Sequence, residues 1–160
     1  MHAKGFTLIE ILVVVIIISI TIGFALLTFG DFGASRRALM TAEQFSTYIK
    51  LVEQQAILEM TTLGIDVRQD GYQTLRFTQG KTWTAMPEKS LFHTRHFPDH
   101  VVVKPQSKLK NNSKNPDILI DSSGDLTPFV LNIGTMQKPV IATLIGKRNG
   151  EIILTFPKAS

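Results

Sequence analysis

The sequence contains no cysteine among its 160 residues, so disulfide bonds and thiolate chemistry are excluded. A domain in an oxidising compartment must then be stabilised by packing alone. The G-x-S-x-G nucleophile elbow and the H-E-x-x-H zinc motif are also absent. The run Gly80-Lys81-Thr82 lacks the upstream glycine of a phosphate-binding loop, because Leu75 stands at that position. We therefore predict no enzymatic activity and no cofactor.

Charge is scarce at the beginning of the chain, where Glu10 is the one ionisable residue between positions 6 and 30. At 1.5 Å per residue, the uncharged residues 11–29 form a helix of roughly 28 Å, close to the hydrocarbon thickness of a bilayer. We predict that residues 6–30 form one membrane-spanning helix. The net charge of +4 is too mild to require a polyanionic partner.

A short polar leader, residues 1–5, precedes this apolar segment. A secretory signal would be cleaved after its apolar core and would leave no anchor. The run KGFTLIE, residues 4–10, followed by an apolar helix, resembles the class III signal of type IV pilins and type II secretion pseudopilins. The resemblance implies that a prepilin peptidase in the bacterial inner membrane cuts between Gly5 and Phe6 and N-methylates Phe6. Lys4 fits the positive-inside rule, so we expect a cytoplasmic N-terminus and a periplasmic head.

Glu10 places a carboxylate inside a membrane helix, which costs about 2.5 to 3.5 kcal/mol at the bilayer centre on insertion scales. The apolar segment alone favours an interfacial acid at headgroup depth. The pilin resemblance implies a second role for this residue. In that role, Glu10 pairs with the terminal amine of Phe6 on a neighbouring subunit as the subunit joins the filament.

Residues 31–63 continue with an amphipathic helical pattern. Its apolar positions recur at helical spacing: Phe45, Ile49, Val52, Ala56, Met60 and Leu63. The pattern predicts a helix that packs on a sheet through this stripe and ends at Gly64. Glycines near residues 30–35 leave open one long helix or two joined helices. They also leave open either loosening during assembly or a static kink or close helix packing.

Residues 64–160 change to alternating apolar and polar positions separated by turn residues. Eight strands are predicted, at residues 65–68, 72–77, 81–84, 101–104, 118–121, 129–133, 140–145 and 151–156. The dipeptide Asn149-Gly150 is a strong hairpin signal before the last of them. We predict an α+β fold, with a long N-terminal helix packed on a β-rich head that is a two-sheet β-sandwich of about eight strands.

Sequence motifs in the head restrict the resemblance to one type of pseudopilin. The runs FPDHV (97–101) and ILIDSSGDLTPF (118–129), together with Trp83 and Leu91, are similar to the H-type minor pseudopilin of type II secretion. That family implies a structural subunit near the tip of a short periplasmic pseudopilus, which supports export of folded proteins across the outer membrane. The implied partners are other minor and major pseudopilins, the prepilin peptidase and the inner-membrane assembly platform, with the secretin and secreted cargo as further candidates. Minor type IV pilins share this head class, so pilus priming, adhesion or DNA uptake is the alternative function.

Basic residues are concentrated around an acid-free polar stretch, residues 105–116. The four lysines in and beside it are Lys104, Lys108, Lys110 and Lys114. Such a stretch could contact nucleic-acid phosphates. It contains no aromatic side chain to stack on bases, which favours a solvated loop, and we do not predict nucleic-acid binding.

Two groups of residues bear a limited likeness to metal sites. The first combines three histidines with an aspartate: His93, His96, His100 and Asp99. Pro98 interrupts any regular helical arrangement of these side chains. The second contains three aspartates without EF-hand spacing: Asp117, Asp121 and Asp125. Its Ser-Ser-Gly-Asp run is ordinary turn sequence, and we predict no metal site.

Overall fold

A computed structural model describes residues 7–78, 82–106 and 115–157, with the backbone alone at residues 27–32. Its first element, α1, is a helix of 51 residues, Leu8–Leu58. Helical structure continues through residues 30–35, so this part of the chain forms one long helix and not two joined helices. Backbone contacts divide the chain into two units, Met1–Gly33 and Ala34–Ser160, and we call the second unit the head. Loosening at residues 30–35 during assembly stays a prediction.

The C-terminal end of α1 differs from the predicted one. The Thr61 amide donates to the Ala56 carbonyl (3.1 Å), and the Met60 amide donates to the Ile57 carbonyl (3.2 Å). These two hydrogen bonds form a Schellman motif, in which Met60 adopts the left-handed conformation (φ 50°) that glycine usually supplies. The helix therefore ends at Leu58 because of this cap.

The prediction that Gly64 terminates the helix was therefore wrong, as was the placement of Met60 and Leu63 on the helical stripe. Met60 is 87% exposed. Leu63 and Gly64 belong to the first strand. The predicted boundary between residues 63 and 64 thus falls inside a strand.

Nine strands follow the helix: β1 (Leu63–Val67), β2 (Gly71–Thr78), β3 (Thr82–Ala85), β4 (Arg95–His96), β5 (Val102–Pro105), β6 (Ile118–Ile120), β7 (Phe129–Gly134), β8 (Ala142–Gly146) and β9 (Ile152–Thr155). One antiparallel sheet has the order β3-β2-β1-β6, with β4 paired to β2, and the other has the order β5-β7-β8-β9. The α+β head with two sheets is confirmed. The eight predicted strands are present with shifts of at most two residues at their ends, including β1, which begins two residues earlier than predicted.

The strand β4 was not predicted. It consists of two polar residues, which give no alternating pattern, and it pairs with the beginning of β2. A Cβ atom added to Gly71 would lie 2.2 Å from the Arg95 carbonyl oxygen. This close approach of two backbones requires glycine and accounts for a strand that its own sequence does not signal.

One hydrophobic core joins α1 to both sheets. The helical stripe is confirmed at its first four positions, since Phe45, Ile49, Val52 and Ala56 are all buried. Within this core, five aromatic rings form one cluster in which each ring contacts at least one other: Phe45, Tyr48, Tyr72, Phe92 and Phe97. The buried hydroxyls of Tyr48 and Thr74 share a hydrogen bond of 2.6 Å, which connects the helix to β2.

Candidate functional site

The first part of α1, Leu8–Leu26, is long and apolar enough to cross a membrane, with a mean hydropathy of 2.8. None of this segment is buried within the protein. Its large apolar side chains are exposed all around the helix, whereas the helix of a soluble domain normally buries one face. The segment can therefore contact lipid or the helices of other subunits along its whole circumference.

The N-terminal end of this segment is capped by Thr7. The Thr7 carbonyl accepts from the Glu10 amide (3.0 Å) and from the Ile11 amide (3.3 Å). The Thr7 hydroxyl also lies 3.4 Å from the Glu10 amide nitrogen. Thr7 and Glu10 thus occupy the N-cap and N3 positions of a capping-box sequence, S/T-x-x-E. This Thr-x-x-Glu spacing is present in the sequence, but a capping role for Thr7 was not predicted.

Glu10 is exposed on the first turn of α1. A carboxylate there interacts favourably with the partial positive charge of the helix N-terminus. Residues 7–35 contain no lysine, arginine or histidine, so this part of the chain supplies no cationic side chain as a partner. The arrangement leaves the carboxylate accessible to a cationic group from another molecule.

The hydroxyl groups of Ser19 and Thr21, inside the span, are hydrogen-bonded within the helix. The Ser19 hydroxyl donates to the Val15 carbonyl and the Thr21 hydroxyl donates to the Ile17 carbonyl, both at 2.8 Å. Such bonds to the preceding turn allow hydroxyl groups to lie in hydrocarbon. Gly23 lies one turn after Ser19 on the same face, and a Cβ atom there would meet nothing within 4 Å. Small residues at this spacing allow a neighbouring helix to approach closely.

Several predicted site residues lie outside the described part of the chain. These are Gly5, Phe6, Lys108, Lys110 and Lys114. The remaining lysine of that group, Lys104, is exposed on β5. Lys147, at the tip of the β8–β9 hairpin, forms an ion pair of 2.9 Å with Glu151.

The three histidines do not converge. The Nδ1 atom of His93 lies 2.7 Å from the Ser90 carbonyl oxygen, and His96 lies on β4. His100 adopts a left-handed conformation (φ 68°) after Pro98 and Asp99. Within residues 7–78, 82–106 and 115–157, no three acidic, histidine or cysteine side chains are placed to hold a metal ion.

The three aspartates have separate structural roles. One Asp117 oxygen accepts from the Val67 amide at 2.9 Å. Burial raises the pKa of Asp117, partly offset by this hydrogen bond and reinforced by nearby Asp66. Asp121 accepts from the Ser122 amide (2.6 Å) and begins a turn that contains left-handed Gly124. The predicted turn at the Ser-Ser-Gly-Asp run, residues 122–125, is confirmed.

The sequence resembles known proteins over most of its length. Residues 1–26 match the family model of the prokaryotic N-terminal methylation motif. The chain is 32% identical over 142 residues to type II secretion system protein H of Pseudomonas aeruginosa, covering 82% of this chain and 83% of that protein. It is 28% identical over 142 residues to the protein of the same name from Escherichia coli K12, with the same two coverages.

Two solved structures share the fold. The minor pseudopilin EpsH of Vibrio cholerae superimposes with a TM-score of 0.64 at 20% identity, covering 77% of this chain and 99% of that one. The solution structure of GspH from E. coli gives a TM-score of 0.63 at 22% identity, covering 77% and 90% of the two chains.

Proposed function

Because the chain belongs to the type II secretion system protein H family of minor pseudopilins, we propose that it is a structural subunit of the type II secretion pseudopilus and supports protein export. The observation that carries this proposal is the 32% identity to protein H of Pseudomonas aeruginosa over 82% of the chain. The exposed span provides the helix that packs in the filament. Catalysis has no part in this role.

Maturation precedes assembly in this proposal. The prepilin peptidase cleaves the bond between Gly5 and Phe6 and methylates the new amine of Phe6. The match of residues 1–26 to the methylation motif supports this step. The helix begins at Leu8 after its Thr7 cap, so cleavage before Phe6 removes the leader and leaves the span intact.

The mature subunit crosses the inner membrane once, with its N-terminus in the cytoplasm and its head in the periplasm. The position of Lys4 before the span supports this orientation. From the membrane the subunit moves into the pseudopilus, where it lies near the tip.

Assembly depends on Glu10 in this account. Its carboxylate pairs with the Phe6 amine of an adjacent subunit, which offsets the cost of placing an acid in the membrane. The absence of cationic side chains from residues 7–35 supports a partner from outside the chain. The head then meets other minor and major pseudopilins, and the secretin and secreted cargo are further candidates for contact.

The test is the secreted proteome of the native host with and without this gene, together with a DNA-uptake assay on the same strains. We expect the deletion to remove exported proteins from the medium and to leave DNA uptake unchanged. Restoration by the plasmid-borne gene is the control. Normal secretion with lost DNA uptake would instead assign the chain to a type IV pilus.

A further inference from the structure

An open pocket of about 490 Å³ lies within the head, at the beginning of its helical part. Arg37 of α1 forms one side, and the chain between β4 and β5 forms the rest with Phe97, Pro98, Asp99 and His100. Only Phe97 of these residues belongs to the hydrophobic core, and the other four are exposed. The volume is within the range of small-molecule sites in proteins.

The chain between β4 and β5 is held in place by its own backbone and by the core. The Phe97 amide donates to the Asp70 carbonyl at 2.9 Å, and the Val101 amide donates to the Pro98 carbonyl at 3.1 Å. The Phe97 ring is buried in the aromatic cluster. His100 adopts a left-handed conformation (φ 68°), which is uncommon for a residue with a Cβ atom and recurs at functional sites. This side of the pocket is therefore formed without a ligand.

The pocket contains charged groups of both signs that have no partner within the described part of the chain. The Arg37 guanidinium, the Asp99 carboxylate and the His100 ring make no hydrogen bond or ion pair there. A guanidinium and an imidazole donate to phosphate, whereas a carboxylate accepts from an ammonium group. A ligand that satisfies all three groups carries both a phosphate and an ammonium group.

The connection of the chain to the span keeps this pocket near lipid. The apolar span ends at Leu26, and Arg36 and Arg37 are the first cationic residues after it, ten and eleven positions later. Eleven residues reach at most about 40 Å even when fully extended. Anchoring of the span in a bilayer therefore gives the pocket a high effective concentration of lipid headgroups.

We propose that this pocket binds a zwitterionic phospholipid headgroup with a phosphate and a primary ammonium group, as in phosphatidylethanolamine. The phosphate lies against Arg37 and His100, and the ammonium group lies against Asp99. The bound headgroup holds the head at the membrane surface before the subunit enters a pseudopilus. The inference rests on the proposed function, because it requires a chain that is anchored in a membrane.

Photo-crosslinking in vesicles identifies the ligand. The full chain carries a photo-crosslinking amino acid in place of Pro98, in vesicles of equal parts phosphatidylethanolamine, phosphatidylcholine and phosphatidylglycerol. The choline group has no N–H to donate, and the glycerol headgroup has no ammonium group. We expect ethanolamine-lipid adducts, identified by intact mass, to exceed each of the others about tenfold, the factor for one charge-assisted hydrogen bond. The same amino acid at Thr84, exposed on β3, is the control and should show no preference.

Substitutions assign the two charges of the headgroup to their partners. Asp99→Ala should bring the ratio of ethanolamine to choline adducts to about one, because the acceptor for the ammonium group is lost. Arg37→Gln should reduce the adducts of all three lipids about tenfold, because each carries a phosphate. Arg148→Gln, at an exposed arginine of the β8–β9 hairpin outside the pocket, should leave the adducts unchanged. Trp83 fluorescence checks that every variant is folded.

Two kinds of failure are distinguishable in these vesicles. Equal yields of the three lipids from the chain that differs only at Pro98 would refute the pocket, as would an excess of phosphatidylglycerol adducts or no lipid adducts. Alkaline extraction tests the anchor separately. Release of the chain from the vesicles would defeat the membrane anchoring in the proposed function, whereas a retained chain without the lipid preference would defeat the pocket alone.

Discussion

Among single residues, Glu10 connects the local structure of the helix to the proposed assembly. It occupies the N3 position after the Thr7 cap, where a carboxylate is favourable, and it remains exposed for a partner. The family resemblance implies the assembly role of Glu10. The position of Glu10 at N3 of the capping-box sequence indicates that the same residue also stabilises the beginning of the helix.

We expect Glu10→Ala to leave membrane insertion and the folded head intact while strongly reducing incorporation into pseudopili. The physical reason is loss of the carboxylate that pairs with the Phe6 amine of the next subunit. Glu88→Ala, at an exposed acid in the head, is the matched control. Incorporation of Glu10→Ala at the level of that control would contradict the pairing role.

The raised pKa of Tyr48 predicts that the free energy of unfolding decreases at alkaline pH. Burial raises its pKa to about 12 from the ordinary value of 10.0, an effect partly offset by the hydrogen bond to Thr74. The folded chain holds this proton more tightly than the unfolded chain. The contribution is therefore fully present below pH 10, and it is lost as the pH rises from about 10 to about 12.

Urea unfolding of the detergent-solubilised chain at pH 8 and pH 11 measures this effect. Tyr48→Phe should flatten the decline, while Tyr72, whose pKa burial also raises, retains part of it. At pH 8 the variant should lose about 1 to 3 kcal/mol, because the buried Thr74 hydroxyl loses its partner. An unchanged decline in Tyr48→Phe would exclude Tyr48 as its source.

At the scale of elements, the end of α1 shows where sequence patterns stop being informative. The apolar spacing continued through Met60 and Leu63, so periodicity alone extended the helix into β1. The Schellman hydrogen bonds end it instead, and Met60 carries no signal for the left-handed position it occupies.

This cap predicts that Met60→Gly stabilises the protein by about 0.5 to 1 kcal/mol. Relief of the left-handed strain of a residue with a Cβ exceeds the entropy that glycine loses on folding. The side chain of Met60 is exposed, so little packing is lost. Gln54→Gly, in the exposed helix interior, should instead cost about 1 kcal/mol. Urea unfolding followed by Trp83 fluorescence compares the two, and a loss of stability in Met60→Gly would disprove the capping argument.

Some strands could be predicted from the sequence and one could not. The alternating runs of β2, β7 and β8 gave their positions, and Asn149-Gly150 gave the last hairpin, where Gly150 is left-handed (φ 81°). The short β4 depends on a backbone contact at Gly71 that no local pattern encodes.

For the whole molecule, the sequence was sufficient for the fold class and the family, because the leader, the span and the head motifs are contiguous runs. It was not sufficient to predict the open groove of the head between α1 and the chain before β4. Leu51 and Leu58 lie outside the predicted apolar stripe of the helix, and only the folded chain brings Leu91 and Arg95 opposite them. Surfaces of this kind depend on residues far apart in sequence, whereas the anchor is local.

The measurement that tests the account most directly is the intact mass of the chain in pseudopili sheared from its native host, compared with a strain that lacks the prepilin peptidase. We predict that the sheared filaments contain the chain without residues 1–5 and with one methyl group on Phe6, and that the mutant strain retains the full-length chain in its membrane. A full-length, unmethylated chain that stays in the membrane while other pseudopilins enter filaments would contradict the account.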